Sequence, residues 1–130
     1  MIYFFSKSTK SAGGSRQRAF NVVDFLRLHD YEVRLIIPPV YREEETRLRT
    51  RLDYLETILS LRKNDIVVLQ SPIFSKWFVA LVCAVKYIFR PRVIFDFDDA
   101  IWRRNPIATR VFAHIADEFI VATHYLAKWP

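Results

Sequence analysis

The sequence predicts an α/β fold, an open parallel sheet of about five strands in the order 3-2-1-4-5 with helices on both faces. Five short apolar runs do not alternate with polar residues, which is typical of strands covered on both faces. They start about 25 to 33 residues apart, the length of a strand plus a crossover helix. The chain has only two glycines, which disfavours a meander of tight hairpins.

The five apolar runs are the predicted strands. They are Ile2–Phe5, Val33–Ile37, Ile66–Leu69, Val93–Phe97 and Phe119–Val121. Right-handed crossovers between parallel strands leave few topologies. A chain of 130 residues has room for one hydrophobic core, so we expect one Rossmann-like domain over residues 1–130.

Helical patterns occupy the stretches between these strands. Ser15 is the predicted N-cap of the first helix. The apolar face of that helix carries Ala19, Val22, Val23 and Leu26. A second helix is predicted over residues 42–61, where leucines form one stripe and glutamate–arginine pairs are four residues apart.

Two further helices are predicted in the second half of the chain, and another is expected to begin at residues 123–126. One runs from about Phe74 to Phe89, and a short one follows Asn105, where Pro106 suits a first helical turn. The longest uninterrupted apolar stretch is nine residues, too short to span a bilayer. With no signal peptide visible, we expect a cytoplasmic protein, either soluble or peripheral at the inner membrane face.

The charge balance suits an anionic partner. The net charge is +6, and 14 of the 20 basic residues are arginines. Cys83 is the single cysteine, which excludes a disulfide framework and a cysteine-rich zinc site. The three histidines are far apart and show no metal-ligand spacing, so we expect no bound metal.

The loop before the first predicted helix is basic and contains both glycines. Gly13 and Gly14 permit positive φ and close approach of a ligand to the backbone. Positive charge comes from Lys7, Lys10, Arg16 and Arg18. The free N–H groups of a helix start attract anions. A phosphate or sugar-phosphate site and a solvated basic turn both explain this loop. It matches neither G-x-G-x-x-G nor a P-loop, which disfavours NAD and ATP bound in those ways.

An acidic motif ends the predicted fourth strand. Asp96, Asp98 and Asp99 repel one another unless metal, basic groups, sugar hydroxyls or helix N–H groups compensate them. Turn capping with ion pairs to nearby arginines is the structural alternative. In the order 3-2-1-4-5, ligands bind where the first and fourth strands meet, so the glycine loop and the acidic motif share a cleft. His124, after the fifth strand, would border it.

Four segments together resemble the start of a GT-B glycosyltransferase of the family 4-like retaining group. They read Ser-Ala-Gly-Gly-Ser-Arg-Gln-Arg at 11–18, Tyr-Glu-Val-Arg-Leu-Ile-Ile-Pro-Pro at 31–39, Val-Ile-Phe-Asp-Phe-Asp-Asp-Ala-Ile-Trp at 93–102 and Ala-Asp-Glu-Phe-Ile-Val-Ala-Thr-His-Tyr-Leu at 116–126. The resemblance implies two Rossmann-like domains, of which this chain is the N-terminal, acceptor-side half. The donor domain, with its paired-glutamate motif, would be absent.

The resemblance also implies a substrate and a role for the singled-out residues. A nucleotide-sugar would be the donor substrate, with no tightly bound cofactor, and a glycan or lipid-linked molecule the acceptor. Asp98 would orient the acceptor hydroxyl. The other cleft residues would be Gly13, Gly14, Arg16, Asp96 and Asp99. Many relatives have a histidine at the fourth strand where this chain has aspartate.

Other interpretations stay open. The acidic motif is also similar to the first motif of haloacid-dehalogenase-type phosphatases. That resemblance implies that Asp96 is a nucleophile and Asp98 an acid/base beside Mg²⁺, although the motif lies on the fourth strand and only 31 residues follow Asp99. The stretch Lys76–Arg90, with aromatic and basic residues at its ends, is typical of a membrane-surface helix or of a helix that covers a sheet. A non-catalytic module on an anionic membrane or a protein partner is therefore a second hypothesis. Self-association, or pairing with a separate C-terminal domain, is expected if an apolar face is exposed. Nucleic-acid binding is disfavoured, because the aromatics are not interleaved with the basic residues.

Overall fold

The computed structural model describes residues 1–6, 10–37, 54–70 and 76–128, together with residue 52. It confirms the α/β class, with five parallel strands flanked by helices. The strands are β1 Ile2–Phe5, β2 Val33–Ile36, β3 Ile66–Gln70, β4 Arg92–Phe97 and β5 Glu118–Val121. Each bound lies within one residue of its prediction. For the largely buried β1, β3 and β4 the reason is that strands covered on both faces require unbroken apolar runs.

Four helices connect these strands in the described part of the chain. The first, α1, is a continuous helical run over residues 13–28. Its parts are α-helical Gly13–Ser15, π-helical Arg16–Phe20 and α-helical Asn21–Leu28. The others are α2 over residues 54–59, α3 Lys76–Phe89 and α4 Pro106–Ile115. Residues 42–51 and 53 of the predicted second helix, and 74–75 of the third, lie outside the described residues.

Three local expectations differ from the structure. Ser15 is not an N-cap, because α1 already begins at Gly13 and the Ser15 side chain is fully buried in its first turn. In the described part of the chain no glycine has a positive φ, so both glycines take part in the helix rather than in a left-handed turn. The helix expected at residues 123–126 is a short 3-10 helix, Leu126–Lys128.

The strand order is 2-1-3-4-5, and the predicted order 3-2-1-4-5 was wrong. Both orders satisfy right-handed crossovers, so handedness does not separate them. Burial does, because β3 is buried along almost its whole length and therefore lies inside the sheet, beside β1. By contrast β2 carries the exposed Arg34 and tolerates the edge.

The larger core lies on the sheet face covered by α2, α3 and α4. Phe78 of α3 is at its centre, with ring centroids 5.6 Å from Phe5 and 6.3 Å from Phe112. On the opposite face, α1 buries Ala19 and Val23 against the sheet. Ile120 of β5 stays 48% exposed.

No helix within the described residues is both long and apolar enough to cross a membrane.

Candidate functional site at the carboxyl edge of the sheet

The strand order moves the point where ligands bind in such sheets. In the order 2-1-3-4-5, the crossover direction reverses between β1 and β3, so the crevice lies outside the carboxyl ends of these two strands. The predicted crevice between the first and fourth strands was therefore wrong in detail. Since strands are about 4.8 Å apart, β4 lies about 10 Å from β1, with β3 between them.

Three polar side chains form a buried layer at this edge. Ser6 follows β1, Gln70 ends β3, and Asp96 is the next-to-last residue of β4. Each is at most 2% exposed. The register pairs Gln70 with Asp96, and strand alternation turns all three toward the face that α1 covers. We call Ser6, Gln70 and Asp96 the polar layer.

The polar layer holds the start of α1 through hydrogen bonds. The Ser6 hydroxyl donates to Gln70 Oε1 at 3.1 Å, and Gln70 Nε2 donates to the backbone carbonyl of Gly14 at 3.3 Å. One side chain therefore joins the ends of β1 and β3 to the first turn of α1. Because Gln70 is buried, losing either bond would leave a polar group without water.

An ion pair between Arg18 and Asp96 connects α1 to the acidic motif. Arg18 Nε donates to Asp96 Oδ2 at 3.3 Å, and Arg18 Nη2 pairs with Asp96 Oδ1. Arg18 lies in the π-helical part of α1, a distortion that is frequent at functional sites. The guanidinium compensates the charge of Asp96. It also disfavours the nucleophilic role that the haloacid-dehalogenase resemblance implies for Asp96, since a carboxylate held by two hydrogen bonds attacks poorly.

The first turn of α1 combines a buried hydroxyl with open space. The Ser15 side chain is 0% exposed, and its Oγ has no hydrogen-bond partner among the described residues. Burying a hydroxyl without a partner costs free energy, so such groups are rare and invite an explanation. A Cβ placed on Gly13 would meet no atom within 4 Å. A ligand thus has room to approach the backbone at Gly13, two residues before the buried Ser15.

The predicted site residues are distributed along this edge. Gly13 is exposed and Gly14 half-buried at the start of α1, while the side chain of Arg16 lies outside the described part of the structure. Asp98 is half-buried and Asp99 exposed, both in the bend after β4. The carbonyl of Asp99 accepts the N–H of Ile101 at 2.7 Å, where a 3-10 helix begins.

His124 is not brought to the polar layer. It is exposed in the turn after β5, and β5 is three strand positions from β1, or about 14 Å. Within the described ranges no hydrogen bond or ion pair links it to the polar layer. The prediction that it borders the cleft depended on a strand order with one strand fewer between them.

Sequence reasoning missed three residues of this edge as site residues: Ser6, Gln70 and Arg18. Gln70 had a usable signal, because a glutamine that ends an otherwise apolar buried strand must have hydrogen-bond partners. Arg18 was counted only as positive charge. Its pairing with Asp96 depends on the π-helical segment, for which the sequence carries no clear signal.

The edge as a whole can bind an anion at one end and hydroxyl groups at the other. Backbone N–H groups at the start of α1 and the Ser15 hydroxyl are donors for an anion. Half-buried Asp98 and exposed Asp99 are acceptors for hydroxyls. The described residues include no group of three or more His, Cys, Asp or Glu placed to hold a metal ion.

No family model, curated protein or solved structure matches the chain.

Proposed function

We propose that the chain is the acceptor-side domain of a glycosyltransferase, which binds phosphate of a nucleotide-sugar at the start of α1 and the acceptor beside Asp98. The observation that carries this proposal is the Arg18–Asp96 ion pair. It joins the glycine loop and the acidic motif, the two segments in which the resemblance to GT-B enzymes is concentrated. A phosphate donor and a hydroxyl acceptor would then meet along one edge.

The phosphate end of the proposed site rests on the first turn of α1. Its N–H groups, the buried Ser15 hydroxyl and the exposed Lys10 are hydrogen-bond donors for an anion. The open space beside Gly13 admits a diphosphate to the backbone. Arg18 is half-buried and already paired, so in this proposal it positions α1 rather than binding the ligand alone.

The acceptor end rests on Asp98 and Asp99. A carboxylate that accepts a hydrogen bond from the acceptor hydroxyl fixes the oxygen that attacks the anomeric carbon of the donor sugar. In the transfer, the bond from that carbon to the phosphate oxygen breaks, the nucleoside diphosphate leaves, and the new glycosidic bond forms as the hydroxyl proton passes to the leaving phosphate or to the carboxylate. Asp98 is the better candidate of the two, because a half-buried carboxylate is better positioned than an exposed one.

The proposed activity needs a second domain for the donor. Positioning both substrates supplies much of the rate, so we expect the chain alone to have weak turnover. The acceptor would be a glycan or a lipid-linked molecule. Cys83, a free thiol, suits the reducing cytoplasm, where we place the reaction, at or near the inner membrane face.

The proposal is tested by calorimetric titration with pyrophosphate and a panel of nucleotide-sugars, followed by a transfer assay with a supplied donor domain. We expect binding of pyrophosphate and at least one nucleotide-sugar. The Asp98→Asn variant should keep pyrophosphate affinity and lose transfer. Asp24→Asn, on the exposed side of α1, is the matched control and should change neither. Absence of binding to every nucleotide-sugar would refute the proposal.

A further inference from the structure

The outward side of α3 is apolar from Trp77 to Ile88. Among the described side chains of α3, the exposed ones are Trp77, Ala80, Ala84, Tyr87 and Ile88, which we call the α3 stripe. Trp77 is 47%, Tyr87 66% and Ile88 68% exposed. A helix that covers a sheet normally presents polar residues to water. Here the opposite, inward side of α3 is also apolar and packs in the larger core.

The composition and length of α3 suit a surface that is partly water and partly hydrocarbon. Its 14 residues extend over about 21 Å. Trp77 and Tyr87, near the two ends of the stripe, combine an apolar ring with a polar group, as aromatic residues at membrane–water interfaces do. Small alanines between them allow close approach to a flat surface. Such a helix would lie along a membrane rather than through it.

Charge is strongly segregated around the α3 stripe. Between residues 66 and 116 the only acidic residues are Asp96, Asp98 and Asp99 of the acidic motif, at the carboxyl edge of the sheet. The same stretch contains seven lysines and arginines. Neither α3 nor α4 contains an acidic residue. Asp117 and Glu118, which follow this stretch, pair with Lys86 and Arg92, whereas Arg90 and Arg110 are exposed.

Basic groups lie next to the stripe. Tyr87, Arg90 and His114 line one shallow pocket of about 440 Å³ between the ends of α3 and α4. Arg110 is exposed one turn earlier on α4, the helix that packs against α3. The only acidic residue on that pocket, Asp117, is paired with Lys86. An anionic surface that met the stripe would therefore also meet Arg90 and Arg110.

We propose that the α3 stripe, with Arg90 and Arg110, docks the protein on an anionic lipid bilayer. Both features are used at once: exposed aliphatic and aromatic groups enter the headgroup region, and arginines pair with lipid phosphates. A second copy of the chain would place positive surfaces against each other, which is repulsive. Nucleic acid phosphates could pair with the arginines, but the affinity would gain little from burying Ile88. The inference does not depend on the proposed sugar transfer.

Vesicle flotation tests the docking. Vesicles of phosphatidylcholine mixed with phosphatidylglycerol should carry the protein upward, vesicles of phosphatidylcholine alone should carry it far less, and high salt should weaken binding. The double variant Tyr87→Ser/Ile88→Ser should reduce binding to the mixed vesicles about tenfold or more. Leu28→Ser is the matched control, because Leu28 is 82% exposed on α1, on the opposite face of the sheet, and should change nothing.

A charge test completes the experiment. Arg90→Glu/Arg110→Glu should reduce binding to the mixed vesicles at least about tenfold, whereas Arg34→Glu on the edge strand β2 should not. Circular dichroism confirms that the variants are folded. The proposal is overturned if the protein fails to float with the mixed vesicles, or if the Tyr87/Ile88 variant floats as well as the parent. It is equally overturned if that variant leaves flotation unchanged and instead abolishes either a dimer detected by sedimentation or the binding of duplex DNA.

Discussion

Arg18 in the π-helical part of α1 holds the carboxylate of Asp96 at the end of β4, although 78 positions separate them in the chain. The side chain of Asp96 is only 4% exposed and that of Arg18 21%. The pair reaches across the end of β3 and joins α1, which contains both glycines, to the acidic motif. The pair therefore makes the carboxyl edge one continuous surface.

Removing the cation of this pair should destabilise the fold. Arg18→Met leaves the Asp96 carboxylate buried without its partner, and we expect a loss of about 3 kcal/mol in the free energy of unfolding. Urea denaturation measures this loss. The double variant Arg18→Met/Asp96→Asn should recover part of it, because no charge remains buried. Arg34→Met, on an exposed strand position, is the control and should cost little. A loss as small in Arg18→Met as in the control would show that the pair is not formed.

Changing one atom of Gln70 should detach the start of α1. In Gln70→Glu the Ser6 hydroxyl can still donate, but no N–H remains to donate to the Gly14 carbonyl. We expect a loss of about 2 kcal/mol or more, since a charge becomes buried and the side-chain bond to the Gly14 carbonyl is lost. Gln17→Glu makes the same chemical change at an exposed position of α1 and should be nearly neutral. Equal stability of the two variants in urea would contradict the bridging role of Gln70.

Ser15 should matter for ligand binding and not for stability. Its hydroxyl is buried without a partner in the described part of the structure, so Ser15→Ala should leave the free energy of unfolding unchanged or raise it by about 1 kcal/mol. Pyrophosphate affinity, measured by calorimetry, should fall about tenfold. Ser60→Ala is the control with the opposite pattern, because Ser60 Oγ donates to the Thr57 carbonyl at 2.8 Å. It should cost about 1 kcal/mol and leave affinity unchanged. Unaltered affinity in Ser15→Ala would remove Ser15 from the site.

The stabilising effect of Asp117 should disappear in acid. Partial burial acts to raise the pKa of Asp117, but hydrogen bonds from Lys86 and the Val93 N–H, with the charges of Lys86 and Arg92, outweigh it and lower the pKa. A carboxyl whose pKa is lowered by folding stabilises the protein above its unfolded pKa of about 3.9, and the effect is lost as pH falls through the folded pKa. Asp117→Asn should therefore cost about 1 kcal/mol or less at neutral pH, since the pair is partly exposed.

The pH series provides the check for Asp117. Urea denaturation of the parent and of Asp117→Asn should give a stability difference at pH 7 that shrinks below about pH 4. Glu32→Gln, which removes an exposed carboxyl elsewhere on the surface, is the control and should change stability little at pH 7. A difference that persists unchanged into acid would mean that Asp117 acts through packing rather than through its charge.

The sequence was sufficient for the strands and insufficient for their order. A strand buried on both faces must be an unbroken apolar run, so its bounds could be located within one residue. In the predicted order β3 lies at the edge beside β2, and in the observed order it lies between β1 and β4. Right-handed crossovers permit both positions. Arg34 in the second strand was the one available indication, since an exposed arginine suits an edge.

The candidate site was predictable in its residue types and not in its contacts. Two adjacent glycines and three clustered aspartates are conspicuous in sequence, and both segments do lie at the carboxyl edge. Which aspartate is buried, and by what it is paired, depends on strand register and on the widened turn that carries Arg18. Gln70 shows the same limit, because its partners come from β1 and α1, 64 and 56 positions away.

Hydrogen exchange followed by mass spectrometry tests most directly whether the start of α1 and the end of β4 form one ligand site. Exchange is compared with and without the nucleotide-sugar that binds best in calorimetry. We expect slower exchange in residues 10–18 and in residues 96–104 together, with α3 unchanged. Slowing in only one of these segments, or slowing elsewhere in the sheet with neither affected, would contradict it.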